Sequence, residues 1–309
     1  MILVEHLTKR FGDTVAVNDL SFEVRPGAVT GFVGPNGSGK TTTMRCMLNL
    51  ARPSSGHVSI DGKVYAKHHH PMHVVGAVLD AKAFHPGRTA KDHLYSLAVS
   101  NGIPKRRVGE VLEMVGLTSV AKKRAGKFSL GMSQRLGIAA AMLGDPGILI
   151  FDEPMNGLDP DGVRWVRDLM RAFAGEGKAV LVSSHLLSEM ALVADELVVI
   201  GRGSVLANES AATFMERNAR QWVSVRVEDL AALETAIGAA GGVATRTADG
   251  ALDVTGIDIA SVGALAFHAG LMVTELAEHH ESLEDVFLEL TADSVEYRAP
   301  GAIPTGGQQ

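Results

Sequence analysis

Cysteine is nearly absent from this 309-residue chain: Cys46 stands alone, so no disulfide can form within it. A reducing compartment is the expected setting, and Cys46 reads as a small buried apolar residue. Also missing is any apolar run near the about 18 residues that a membrane-crossing helix needs. Leu136–Leu143 and Ile148–Phe151 are far too short. Basic charge is not in excess. A net charge of −6 argues against broad binding to a phosphate backbone, so no nucleic-acid partner is expected. Met1–Gly12 carries no basic start, apolar core or small-residue cleavage site of a signal peptide. No internal repeat, long heptad pattern or Asn-Lys-x-Asp sequence occurs. These absences describe a soluble, cytosolic protein in which any membrane role runs through a partner.

What is present begins with β signals. Ile2–Thr8 and Leu20–Val24 read as strands around a turn at Gly12 and Asp13, and Ala28–Val33 as a short apolar strand. A helix is expected over Thr41–Leu50, then strands over His57–Ile60 and Val74–Leu79. From Thr89 to Leu143 the pattern turns helical, with Thr89 and Asp92 as start residues and apolar positions at Leu94, Leu97 and Ala98. Further helices are expected through Val108–Val115 and from Ser129 through Ala140. Beyond it, strands Ile148–Phe151 and Ala179–Ser183 flank a helix over Gly162–Phe173, the alternation of a parallel sheet. After Arg220 the order becomes β-α-β-β-α-β, with its last strand over Leu271–Leu276 and a helix over Ser282–Leu290. That is the order of a ferredoxin-like unit.

The chemistry concentrates in a few segments. Gly34-Pro35-Asn36-Gly37-Ser38-Gly39-Lys40-Thr41, followed by Thr42, fits G-x-x-x-x-G-K-[ST] between a strand and a helix. Glycines at those positions let backbone N–H groups turn inward around phosphates, and the helix start adds partial positive charge. Lys40 is then placed to bridge the outer phosphates and Thr41 to ligate Mg²⁺. The run Ile148–Phe151 ends in Asp152 and Glu153, at the carboxyl end of a strand where ligands of open α/β sheets gather. Asp152 suits the metal shell, and Glu153 suits orienting and deprotonating a water.

Several further segments carry a resemblance. Ser129-Leu130-Gly131-Met132-Ser133-Gln134-Arg135 resembles the signature motif of ATP-binding cassette (ABC) transporter ATPases. Glu153-Pro154-Met155-Asn156-Gly157-Leu158-Asp159-Pro160 resembles the acidic-strand exit and D-loop of that family, and Ser183-Ser184-His185 its switch histidine. Phe11 stands where the family stacks a ring on adenine. Order and spacing agree over residues 1–215; the signature wording and Ser282–Leu288 resemble bacitracin- and daunorubicin-type export ATPases. The resemblance implies an α/β P-loop NTPase core with a β-rich ATP-binding part and an inserted helical subdomain, about 89–143, within a nucleotide-binding domain 1–215. A small C-terminal α+β module, 216–291, and a disordered tail, 292–309, complete the expected layout.

The resemblance also implies a function. ATP and Mg²⁺ would be the cofactors, with Thr41, Asp80 and Asp152 around the metal. Glu153, His185 and Lys40 would be catalytic. A head-to-tail homodimer would place Ser129 and Gly131 of each subunit on the ATP of the other, with Asp159 linking the sites. An integral-membrane permease would be the second partner, holding the chain at the inner face of the cell membrane. Two departures stand out: Leu130 and Met132 in the signature, and Asp80 where most relatives carry a metal-ligating glutamine.

Rival readings are open at this stage. A soluble ABC ATPase of DNA repair or the ribosome conflicts with the missing coiled coil, the single nucleotide-binding domain and the acidic charge. A GTPase or small-molecule kinase leaves residues 129–135 unexplained, and a binding module without turnover conflicts with Glu153 and His185. His68–His70 with His73 reads as an exposed loop rather than a metal site. Lys105–Arg107 and Lys122–Arg124 read as solvated helix faces, with contact to a membrane subunit or anionic lipid as the alternative.

Overall fold

The structure is a computed structural model that describes residues 1–218, 221–280, 286, 287, 290 and 291. The chain forms two compact units: Met1–Phe214 with the described residues from Phe287 on, and Met215–Val286.

In chain order the first unit runs β1 (Ile2–Phe11), β2 (Thr14–Val24), β3 (Val29–Val33), α1 (Lys40–Met47), β4 (Ser55–Ile60) and β5 (Val75–Val78). Helices α2 (Ala90–Ser100), α3 (Arg106–Met114) and α4 (Leu130–Ala141) follow. Then come β6 (Ile148–Phe151), α5 (Pro160–Gly175), β7 (Ala179–Ser184), α6 (Leu187–Ala191), β8 (Glu196–Gly201) and β9 (Ser204–Ser210); α7 (Ala211–Asn218) crosses the boundary between the units.

Two sheets result. One is antiparallel, in the order β2-β1-β4. The other has the order β5-β6-β7-β3-β8-β9, parallel except for its last strand. Strands β3, β6 and β7 are buried at every position, which is why they read as unbroken apolar runs instead of alternating ones. Phe32 and Phe151 are fully enclosed, and burying such a ring contributes about 1.5–3 kcal/mol. Helix α5 begins where Asp159 accepts the Gly162 N–H and Pro160 fixes the first turn; it buries Val166, Met170 and Phe173.

The strands are longer than the periodicity predicts at β1 and β2, because those two form one continuous twisted hairpin with register shifts. The β8–β9 hairpin is a further pair of strands beyond those the sequence pattern predicts. The middle of β8, Leu197–Ile200, is a plain apolar run, and the hairpin turns at Arg202 and Gly203, both with positive φ.

The second unit contains β10 (Gln221–Val227), α8 (Leu230–Ala239), β11 (Val243–Arg246), β12 (Leu252–Thr255), α9 (Ile259–His268) and β13 (Val273–His280). Its sheet is antiparallel throughout, in the order β11-β12-β10-β13, the strand order of a ferredoxin-like unit. Val223, Val225, Leu233, Ile237, Leu252 and Val262 form its core. Asp229 and Asp258 cap its two helices. Most of the helix expected over Ser282–Leu290 and all of the tail 292–309 lie outside the described residues.

Candidate active site

The sheet order sets the site. Strands β6, β7 and β3 are adjacent and parallel, so their carboxyl ends bring three separate segments to one edge. From β3 the chain enters residues 34–39 and then α1; from β6 it enters Asp152 and Glu153; from β7 it reaches His185.

The loop after β3 depends on glycine. Gly39 has φ 105°, and a Cβ there would lie 2.5 Å from the Ala16 carbonyl oxygen of β2. With glycine at the N-cap, α1 has no side-chain cap, so its first N–H groups point into the cleft. The cleft, about 250 Å³, is lined by Asn36–Thr42, Ala16 and Glu153. Ser38 is buried there. Lys40 is 6% exposed, donates to the Gly34 and Pro35 carbonyls at 2.6 and 3.2 Å, and lies 3.3 Å from Glu153 Oε1.

Asp152 is fixed at both oxygens. Thr41 Oγ1 donates to Oδ2 at 2.6 Å and Ser183 Oγ donates to Oδ1 at 2.6 Å. Ser183 also accepts the Glu153 N–H at 2.8 Å. That bond supports Glu153 at φ 49°, a left-handed conformation costing a non-glycine residue about 1 kcal/mol or more. His185 Nδ1 lies 2.8 Å from Glu153 Oε2. An ionised carboxylate only accepts, so this nitrogen carries the proton and Nε2 is left for another partner.

The signature segment opens α4, where Ser129 caps the helix by accepting the Met132 N–H at 3.2 Å. Gln134 Nε2 donates to the Glu153 carbonyl at 3.4 Å. Gly131 faces Leu158, and Gly157 (φ 70°) lies under the Leu130 side chain so tightly that a Cβ would overlap Leu130 Cδ2. Leu130 and Gly131 are therefore packed on Gly157 and Leu158.

Two expected residues sit apart from this cluster. Phe11, 55% exposed at the end of β1, lies outside the cleft lining, with Lys9 Nζ 4.7 Å from its ring centroid. Asp80, in the loop after β5, accepts the Lys82 N–H at 2.8 Å, and no contact joins it to Thr41 or Asp152. Its loop instead borders a groove of about 300 Å³ between β5 and helices α2 and α4. His93 lies in this groove with an unpartnered Nδ1, edge-on to Phe84. Burial and, secondarily, Arg88 hold its imidazole below the ordinary range. Ser183, which holds both acids, and Ala16 were missed as functional positions. Nothing in a Ser-Ser-His run shows which hydroxyl faces the neighbouring strand.

Among the described residues no three His, Cys, Asp or Glu side chains cluster as a metal site. Thr41 and Asp152 offer two hard oxygens side by side, which fits Mg²⁺ completed by phosphate oxygens and water.

This fold and cleft define a P-loop ATPase of the ABC class. The ABC transporter family pattern matches residues 17–156, and a family described only as a domain of unknown function matches residues 221–284. The chain is 34% identical to a bacitracin transport ATP-binding protein of Enterococcus faecalis over 307 residues, covering 94% of this chain and 96% of that one. A lantibiotic transport ATP-binding protein of Streptococcus pyogenes is 32% identical, over 67% of this chain and 89% of its own. An ATP-binding subunit of an ABC transporter of known structure superposes with a TM-score of 0.64 at 26% identity, covering 70% of this chain and 92% of that one. The chain thus belongs to the ABC transporter ATP-binding subunits.

Proposed function

We propose that this chain is the motor of an exporter: ATP binding closes a head-to-tail homodimer, hydrolysis reopens it, and a separate membrane permease follows the cycle. The observation that carries the reading is the Glu153 carboxylate held between Lys40 and His185. A γ-phosphate entering the cleft would compete for Lys40 and release Oε1 to take a proton from water, the role of a general base. Lys40 and the N–H groups of residues 36–42 would hold the phosphate chain, and His185 Nε2 would face its terminal group. Mg²⁺, held by Thr41 and Asp152, would neutralise charge developing on the phosphates.

The dimer follows from the second helix start. Helix α4 presents N–H groups and Ser129 just as α1 presents its own, and one phosphate cluster has no use for both ends. Ser129 and Gly131 of each subunit would therefore cap the ATP of the other, with Asp159 beside the interface and Phe11 against adenine. The near full-length likeness to a bacitracin transport protein supports a drug- or lipid-like cargo. No helix among the described residues is long and apolar enough to cross a membrane, so the cargo would meet the permease rather than this chain, which would sit at the inner membrane face. The Asp80 loop, next to the β5 groove, is where permease and nucleotide would communicate.

Ser129→Arg tests the dimer. It should leave ATP binding to the isolated subunit nearly intact while abolishing ATP-driven dimerisation in gel filtration and hydrolysis. Normal dimerisation of this variant would overturn the head-to-tail arrangement.

A further inference from the structure

A second groove, about 600 Å³, opens between α2, α3 and residues 118–122, away from the P-loop cleft. Four cations line it: Lys91, Lys105, Arg106 and Lys122. Among the described residues none of the four has an ion-pair partner, and no carboxylate lines the groove. By contrast, Arg107 of the same basic run is paired with Glu110 and donates to the Met142 carbonyl. On a chain of net charge −6, a groove with four uncompensated cations is a local field of opposite sign.

The remaining walls are of two kinds. Thr118 and Ser119 bring hydroxyls that make no side-chain hydrogen bond among the described residues. The floor is apolar, from Val108, Leu112 and Tyr95, and Lys105 Nζ sits 5.4 Å from the Tyr95 ring centroid. Gly109 lies in the middle of α3 on this floor. A Cβ there would meet nothing within 4 Å, and its φ is not in the left-handed region. Neither space nor backbone conformation therefore requires glycine, which costs a helix interior about 1 kcal/mol relative to alanine. What the missing side chain does provide is depth in the groove.

We propose that this groove binds a phosphate-bearing organic anion, with the phosphate among the cations and hydroxyls and the apolar part over Gly109 against Tyr95. A volume of this size with a mainly apolar floor and a few polar groups is that of a small-molecule site and is larger than a bare ion needs. Such a phosphate can come from an anionic lipid headgroup or from a soluble organophosphate.

Calorimetric titration of the full chain tests this with dihexanoyl-phosphatidylglycerol, dihexanoyl-phosphatidylcholine, glycerol 3-phosphate and a poly-glutamate peptide. Phosphatidylglycerol should bind and phosphatidylcholine should not, with affinity falling as salt rises. Glycerol phosphate binding equally well identifies a soluble ligand, and its failure identifies a lipid. Lys105→Glu combined with Lys122→Glu should weaken binding about tenfold or more. Gly109→Leu, which fills the floor without changing charge, should do the same; both variants should keep wild-type basal ATPase, and neither should lower the melting temperature, which Gly109→Leu should raise if anything. Equal binding of the zwitterionic lipid, wild-type affinity in both variants, or binding of the acidic peptide alone would overturn the proposal.

Discussion

Thr41 Oγ1 and Asp152 Oδ2 are 2.6 Å apart although 111 residues separate them in the chain. Their meeting depends on β7, which lies between β3 and β6 and supplies Ser183 to the other oxygen of Asp152. The acid is thus oriented by two hydroxyls, one from the first turn of α1 and one from the end of β7.

Ser183→Ala should therefore impair hydrolysis without unfolding the sheet. It removes a buried hydroxyl that donates to Asp152 and accepts from Glu153, and leaving such groups unpaired costs about 1–3 kcal/mol. Turnover should fall roughly 5- to 100-fold with ATP affinity changed much less. Steady-state ATPase rates beside equilibrium nucleotide binding provide the check.

Glu153→Gln should retain ATP binding and lose most turnover, because a general base contributes about 10²–10⁴-fold. ATP should then hold a stable dimer in gel filtration. Unchanged turnover would remove Glu153 from the chemistry.

Gly157→Ala adds a methyl where Leu130 Cδ2 already sits and at a φ of 70°. The Leu130 side chain must move aside, which alters the surface next to Ser129 and Gly131. ATP-driven dimerisation should weaken while nucleotide binding to the subunit stays near wild type, and shortening the obstacle with Leu130→Ala should restore part of the loss.

Asp80→Ala examines the loop after β5. If this carboxylate enters the metal shell when nucleotide binds, the Mg²⁺ requirement for hydrolysis should rise and Mg²⁺-free nucleotide binding should not change. Asp80→Gln should keep part of the activity. Superimposable Mg²⁺ titrations of wild type and Asp80→Ala would confine Asp80 to its bond with the Lys82 N–H.

His93 gives the fold a pH dependence. Burial holds its pKa below the ordinary value, so between the two the unfolded chain binds more protons than the folded one. Stability from this residue is full above the ordinary imidazole pKa of about 6.5 and declines as pH falls below it. His93→Gln should lose less melting temperature than wild type between pH 7.5 and pH 5.5. Equal losses would show that folding leaves the proton affinity of His93 unchanged.

The phosphate loop was legible in the sequence because its chemistry is local: the glycines, Lys40 and Thr41 act within one contiguous turn. Asp152 and Glu153 were legible as acids ending an apolar run. The work of Ser183 was not, since its partners are fixed by the pairing of Phe151 with Val182 across β6 and β7. The second groove escaped notice for the same reason. Lys105–Arg107 and Lys122–Arg124 read as solvated helix faces or as contacts for a membrane subunit or anionic lipid, and only the packing of α2 and α3 joins Lys105, Arg106 and Lys122 with Lys91 in one groove. Asp80 is the converse case, a residue singled out by comparison with relatives whose observed bond is to its own loop.

The phosphate loop and the acids share one support. The Gly34 N–H donates to the Ser184 carbonyl of β7 at 3.2 Å, and the Gly203 N–H donates to the Ser38 carbonyl at 3.0 Å. Ser183, the preceding residue of β7, orients Asp152 and Glu153. Two neighbouring residues of a single strand therefore tie down both the grip on phosphate and the chemistry that cleaves it. Neither half of the site is complete without the end of β7.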